Sequence, residues 1–162
     1  MEKKFNVVIV EDAKLELKGT EEIFRSEIPE ACIIGTAMNE GELWPLMEKQ
    51  LPDLLLLDLG LGGSTTVGVE ICAKMKRLYK DVKVLIFTGE LLNEKLWIDV
   101  LDAGADGIVL KTGELLTKYE IRNVMSGKRL VFNQPILEKI VNRFREEVMR
   151  EHSYRRSIIE YD

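Results

Sequence analysis

Apolar residues along this 162-residue chain fall into short unbroken runs, separated by longer stretches where they recur every three or four positions. The runs are Phe5 to Val10 (FNVVIV), Ala31 to Thr36 (ACIIGT), Asp53 to Leu57 (DLLLL), Val82 to Phe87 (VKVLIF) and Gly107 to Leu110 (GIVL). Their length and their β-branched or leucine content predict strands. DLLLL has no polar alternation, as expected of a strand buried on both faces of a parallel sheet. The intervening stretches predict helices. The first, 14–26, carries Leu15, Leu17, Ile23 and Phe24 on its apolar side, and Pro29 closes it. Asn39 can cap a second that buries Leu43, Trp44, Leu46, Met47 and Leu51. Three more are expected at 69–79, 91–103 and 114–125, with Gly60 to Ser64 as a loop. Five strand–helix repeats predict an α/β domain with helices on both faces of the sheet.

The pattern changes after Gly127, which divides the chain into a domain at 1–127 and an appendage at 128–162. Arg129 to Gln134 reads as a connector. Pro135 suits a first helical position, and Ile136, Leu137, Ile140, Val141, Phe144 and Val148 then recur at helical spacing to about Arg150. The remainder, HSYRRSIIEYD, has no clear period. The apolar stripe has two possible destinations, this domain or a second copy of the chain as a homodimer. Eight basic against four acidic residues between 128 and 156 describe a solvated helix face that would not hinder nearby DNA.

Composition narrows the class. Apolar residues at 46% and charged residues at 31% fit a soluble globular protein, and no run is long enough for a membrane span. The start, MEKKFNVVIVEDAK, turns acidic too early for a signal peptide. Two isolated cysteines, Cys32 and Cys72, without an export signal suggest reduced thiols in a cytoplasmic protein, packed as small core residues. His152 is the only histidine, so a sulfur or imidazole metal site is not expected. Trp44 and Trp97 read as packing residues. A net charge of −5 argues against strong nucleic-acid binding by this chain alone.

The candidate chemistry lies at the strand ends. Glu11 and Asp12 follow the first strand, Asp58 the third, Thr88 the fourth and Lys111 the fifth. In an open parallel sheet the carboxyl ends of the strands line one edge, and ligands bind there. These five residues should therefore converge. Clustered carboxylates call for a cation, and hard oxygen donors select magnesium or a similar ion. Asp58 can then serve as a carboxylate nucleophile toward phosphorus, with Asp12 and Asp58 on the metal. Lys111 neutralises a phosphoryl oxygen, and Thr88 offers a hydroxyl that swings toward the phosphate.

The motifs VVIVEDAK, LLLLDL, VLIFTGE and GIVLKTG resemble, in order and spacing, the strand-end motifs of the CheY-like response-regulator receiver family over residues 5 to 127. The resemblance implies a flavodoxin-like (βα)5 fold with strand order 2-1-3-4-5, here with an extra C-terminal helix. It implies a two-component switch rather than an enzyme, charged by a sensor histidine kinase and magnesium. Asp58 would be the phosphoacceptor, Asp12 the main metal-binding acid and Glu11 the second. Thr88 would be the switch hydroxyl and Lys111 the phosphate-binding lysine, while Gly60 would lend its backbone carbonyl to the metal. SGKRLVFNQPILEKIVNRF resembles the linker of NarL-type regulators, whose helix-turn-helix comes next. No such domain follows before Asp162, so the chain reads as the N-terminal part of a transcription factor that binds DNA only through a domain absent here, with a complete single-domain regulator carrying a sixth helix as the competing reading.

Three positions depart from the family pattern. The loop after Asp58, LGLGGSTTVGVE, lacks a usual proline and is about two residues longer than common. Thr112 follows Lys111 where proline is common; a non-proline cis bond costs about 2.5–4 kcal/mol, so the usual cis peptide is not expected. Ile108 takes the place of the switch aromatic. Two alternatives stay open. A haloacid-dehalogenase-type phosphatase or phosphotransferase wants a second Asp two residues after the nucleophile, where this chain has Gly60. A pseudo-receiver would bind partners without phosphorylation. Flavodoxin-type cofactor binding is disfavoured, because no phosphate loop follows the first strand.

Overall fold

The computed structural model describes residues 3–89, 93–111, 118–128 and 130–159. Its elements run β1 (Phe5–Val10), α1 (Lys14–Glu27), β2 (Ala31–Ala37), α2 (Glu40–Lys49), β3 (Leu54–Leu57), α3 (Thr65–Leu78), β4 (Lys83–Thr88), α4 (Glu94–Asp102), β5 (Gly107–Leu110), α5 (Lys118–Met125), β6 (Val131–Phe132) and α6 (Gln134–Ile159). A 3-10 turn, Leu61–Gly63, lies between β3 and α3. The sheet order is β2-β1-β3-β4-β5-β6, with every pairing parallel. The flavodoxin-like order 2-1-3-4-5 is therefore present, extended by one short strand.

Alternate residues of each strand feed two cores. Val8, Val10, Leu55, Leu57, Val84, Ile86, Ile108 and Leu110 meet Leu43 and Met47 of α2, Ile71, Cys72 and Met75 of α3, Val100 of α4 and Ile136 of α6. Val7, Ile9, Leu54, Leu56, Leu85, Phe87 and Val109 meet Phe24 of α1 and Ile121 and Val124 of α5. All four residues of β3 are buried, as the uniform apolar run requires.

Several expectations need correction. Helix α3 begins at Thr65 rather than at 69, so Gly68, which falls between the predicted loop and the predicted helix, lies within it. A Cβ there would stand 2.6 Å from the Leu59 Cα, so glycine is what lets the helix lie against the loop after β3. Thr88 is the last residue of β4 and fully buried, rather than the first residue beyond it. The connector at 129–134 contains β6, which pairs Val131 with Gly107 and Phe132 with Ile108. Helix α6 runs on to Ile159, through the stretch that lacks an apolar period. Cys72 is buried as expected, but Cys32 is exposed on β2, which has only one strand beside it. Ile108 is buried in the core. The expected helix starts at 91 and 114 and the peptide at Thr112 fall on residues outside those described.

Among the described residues no helix is long and apolar enough to cross a membrane.

Candidate functional site at the carboxyl edge of the sheet

The parallel register builds the site. Val10 is level with Leu57, Leu57 with Ile86, and Thr88 with Leu110, so the residues that end these strands reach one rim. Backbone bonds carry the alignment past the strand ends. The amide of Asp58 donates to the Val10 carbonyl at 3.0 Å, and that of Lys111 to the Thr88 carbonyl at 2.8 Å. Asn133, 5% exposed, holds the last residue of β5 from the other side. Its Oδ1 accepts from the Leu110 amide at 3.2 Å, and its Nδ2 donates to the Leu110 carbonyl at 3.0 Å. The side chain thus continues the ladder where β6 has ended, and fixes the backbone just before Lys111.

The Lys111 ammonium sits among three carboxylates. It donates to Glu11 Oε2 at 2.5 Å and to Glu16 Oε2 at 2.6 Å, and lies 3.6 Å from Asp58 Oδ2. It also stands 5.0 Å from the centre of the Phe87 ring, an added cation–π contact. Glu11 is nearly buried and its Oε1 accepts from the Ala13 amide at 3.0 Å, while Glu16 is half exposed in the first turn of α1. One oxygen from each of Glu11, Glu16 and Asp58 lies within 4.8 Å of the others. With all groups ionised the cluster keeps an excess of negative charge. Burial raises the Glu11 carboxyl above its ordinary value, against the opposing Lys111 hydrogen bond. Burial alone would lower Lys111, but its bonds to Glu11 and Glu16 outweigh that and hold it above its ordinary value.

Among the expected site residues, the structure brings together Glu11, Asp58 and Lys111, with Thr88 buried at the end of β4. It turns Asp12 aside: its Oδ2 accepts from the Gly62 amide at 2.8 Å and braces the 3-10 turn after Asp58. Gly60 meets Asp58 through its amide, at 3.4 Å from Oδ1. Glu16 was missed. The one available sequence signal was an acid in the first turn of the helix leaving the β1 edge, but such acids are common there for the helix dipole alone. The donor set fits a hard divalent cation: the oxygens are close, and one ammonium leaves their charge only partly balanced.

The family model described as the response regulator receiver domain matches residues 7–120. The chain belongs to this receiver family. A second model, a family of unknown function (DUF5932), matches 131–162 and so covers β6 and α6. Among curated relatives, the methanol utilization control regulatory protein MoxX of Paracoccus denitrificans is 30% identical over 105 residues, 65% of this chain and 46% of that protein. The nitrate/nitrite response regulator protein NarL of Escherichia coli is 28% identical over 108 residues, 67% of this chain and 48% of that protein. The receiver chain thus spans about half the length of the curated relatives it matches. Solved structures agree on the fold. A LuxR-family two-component response regulator from Aurantimonas superposes with TM-score 0.73 at 23% identity, covering 88% of this chain and 99% of that one. The isolated REC domain of RcsB from Salmonella enterica, solved with the phosphomimetic BeF3-, gives 0.74 at 22% identity, covering 84% of this chain and 98% of that one.

Proposed function

We propose that this receiver is a phosphorylation switch: Asp58 accepts a phosphoryl group from a phosphohistidine of a sensor histidine kinase, and the altered surface changes which partner the chain binds. The observation that carries this reading is the Lys111 ammonium 3.6 Å from Asp58, held between two further carboxylates at the edge where strand ends converge. In the transfer, an Asp58 oxygen attacks phosphorus as the phosphorus–nitrogen bond to the donor imidazole breaks; the imidazole keeps the electron pair and takes up a proton. Lys111 is within reach to neutralise a phosphoryl oxygen, which requires it to loosen its bonds to Glu11 and Glu16. The Asp58 N–H bond to Val10 and the Gly60 amide fix the carboxylate's direction. Glu11, Asp58 and Glu16 would hold magnesium, which when bound spreads the charge developing on the phosphoryl oxygens. Asp12 would join that set through its Oδ1, since its Oδ2 is engaged by the Gly62 amide. Thr88, buried at the end of β4, would serve as the switch hydroxyl, and its movement would reach the start of the segment toward α4.

The transfer frees the donor imidazole and leaves the phosphoryl group on the chain itself, and on this reading the protein acts as a switch and not as an enzyme on a metabolite. Two free cysteines and a kinase partner suit a cytoplasmic location. Control of transcription would pass through an output domain outside these residues. The test is intact-mass measurement after incubation with magnesium and acetyl phosphate. Wild type should gain one phosphoryl group and Asp58→Ala none. Equal gain by both, or none by wild type, defeats the proposal.

A further inference from the structure

The geometry points to α6 as a homodimerisation helix that pairs antiparallel with α6 of a second copy through Leu137, Val141, Phe144 and Val148. The 26-residue helix is about 39 Å long, and its first half faces the receiver, where Lys139, Asn142, Arg143 and Glu146 line a pocket with Trp97, Ile98 and Leu101 of α4. Ile136 is fully buried there, and Ile140 packs beside it. The stripe lies about a quarter-turn around the helix from these two. Leu137 is 42% exposed, Val141 49% and Phe144 67%, so the three stand away from the docked face. Their spacing with Val148, four, three and four, is that of a two-helix seam.

A second copy fits this seam for two reasons. Antiparallel pairing about a two-fold axis near residues 142 and 143 sets Leu137 against Val148 of the second copy, and Val141 against its Phe144. Large thus meets small in every layer, and one patch serves both copies. Charge decides the direction. The same pairing brings Glu138 beside Arg145 of the second copy, twice by symmetry. The next seam positions, Glu151 and Arg155, would stack on their own likenesses in a parallel pair, glutamate on glutamate and arginine on arginine. Antiparallel pairing removes both repulsions and places Glu151 opposite Gln134. The seam is short, so association is expected in about the micromolar range. The recurrence of 131–162 as a family of its own is explained if this unit assembles the chain.

Sedimentation velocity of the full chain across a micromolar concentration series tests this. Wild type should pass from monomer to dimer. Phe144→Glu should weaken association at least about tenfold without altering the melting curve of the dilute monomer, since the side chain is largely exposed. Leu78→Glu, of comparable exposure on α3, should leave association unchanged. Glu138→Lys and Arg145→Glu should each weaken the dimer, and the two together should restore it. A wild type that stays monomeric, a Phe144→Glu that associates like wild type, or a Leu78→Glu that loses the dimer overturns the interface. A double charge reversal no better than the single ones overturns the antiparallel arrangement.

Discussion

Replacing Gly68 by alanine should destabilise the protein although it places a better helix former inside α3. By propensity alone the change stabilises by up to about 1 kcal/mol. The structure opposes this. The new Cβ would lie 2.6 Å from the Leu59 Cα, 2.9 Å from the Leu59 oxygen and 3.0 Å from the Asp58 oxygen. All three are backbone atoms, so no rotamer change relieves the contact. Ordinary contact begins near 3.4 Å, so α3 or the loop must move by several tenths of an ångström. Overpacking of this kind costs about 1–3 kcal/mol, and three backbone contacts at or inside 3.0 Å put this site at the upper end, which leaves a net loss of up to about 2 kcal/mol after the propensity gain. For a domain of this size that is up to about 8 °C in Tm. Urea and thermal unfolding of Gly68→Ala should show a lower midpoint with an unchanged urea slope. Phosphoryl uptake should slow as well, because the displaced backbone carries Asp58. A variant as stable as wild type, or more so, would refute the close-approach argument.

Two further outcomes follow from the site. Glu11 has a raised carboxyl value in the fold, so its ionisation costs the folded state more than the unfolded one; that contribution favours folding below the ordinary value of 4.5 and is lost as pH rises above it. The stability of Glu11→Gln relative to wild type should therefore increase as pH is raised from 4 toward neutrality in chelator-treated buffer, and urea melts at several pH values showing a flat or opposite trend would contradict the burial argument. Asn133→Ala leaves both the amide and the carbonyl of Leu110 without the bonds they make to this buried side chain, at a cost of about 2–4 kcal/mol by urea unfolding; a loss under about 0.5 kcal/mol would show that the bridge is replaceable.

The legible part of this protein was the part in which local pattern and tertiary environment agree. β1 and β5 have the predicted bounds because an unbroken apolar run of strand length leaves few other solutions. Asp58 and Lys111 could be placed together because parallel strands deliver their following residues to one edge whatever the loops do. Local pattern failed where a distant contact set the outcome. The predicted start at 69 left Gly68 outside α3, and nothing in the local pattern shows that Leu59 lies against it. Two residues of β6 are too few to make a strand by themselves, and they pair because Asp106 accepts the Val131 amide at 3.0 Å and Asn133 carries on the ladder.

The sequence by itself determined the α/β class, the order of the first five strands through a family resemblance, and that an acid following β3 would stand at the carboxyl edge of the sheet. Only the tertiary structure decided the company that acid keeps. Glu16 meets Lys111 across 95 residues, while Asp12, next in sequence to Glu11, turns to an amide 50 residues away. Residue type and strand position limit which groups can arrive at the rim. Which carboxylate takes the ammonium and which takes a backbone N–H depends on side-chain directions and competing partners, and these exist only once the strands and helices are packed.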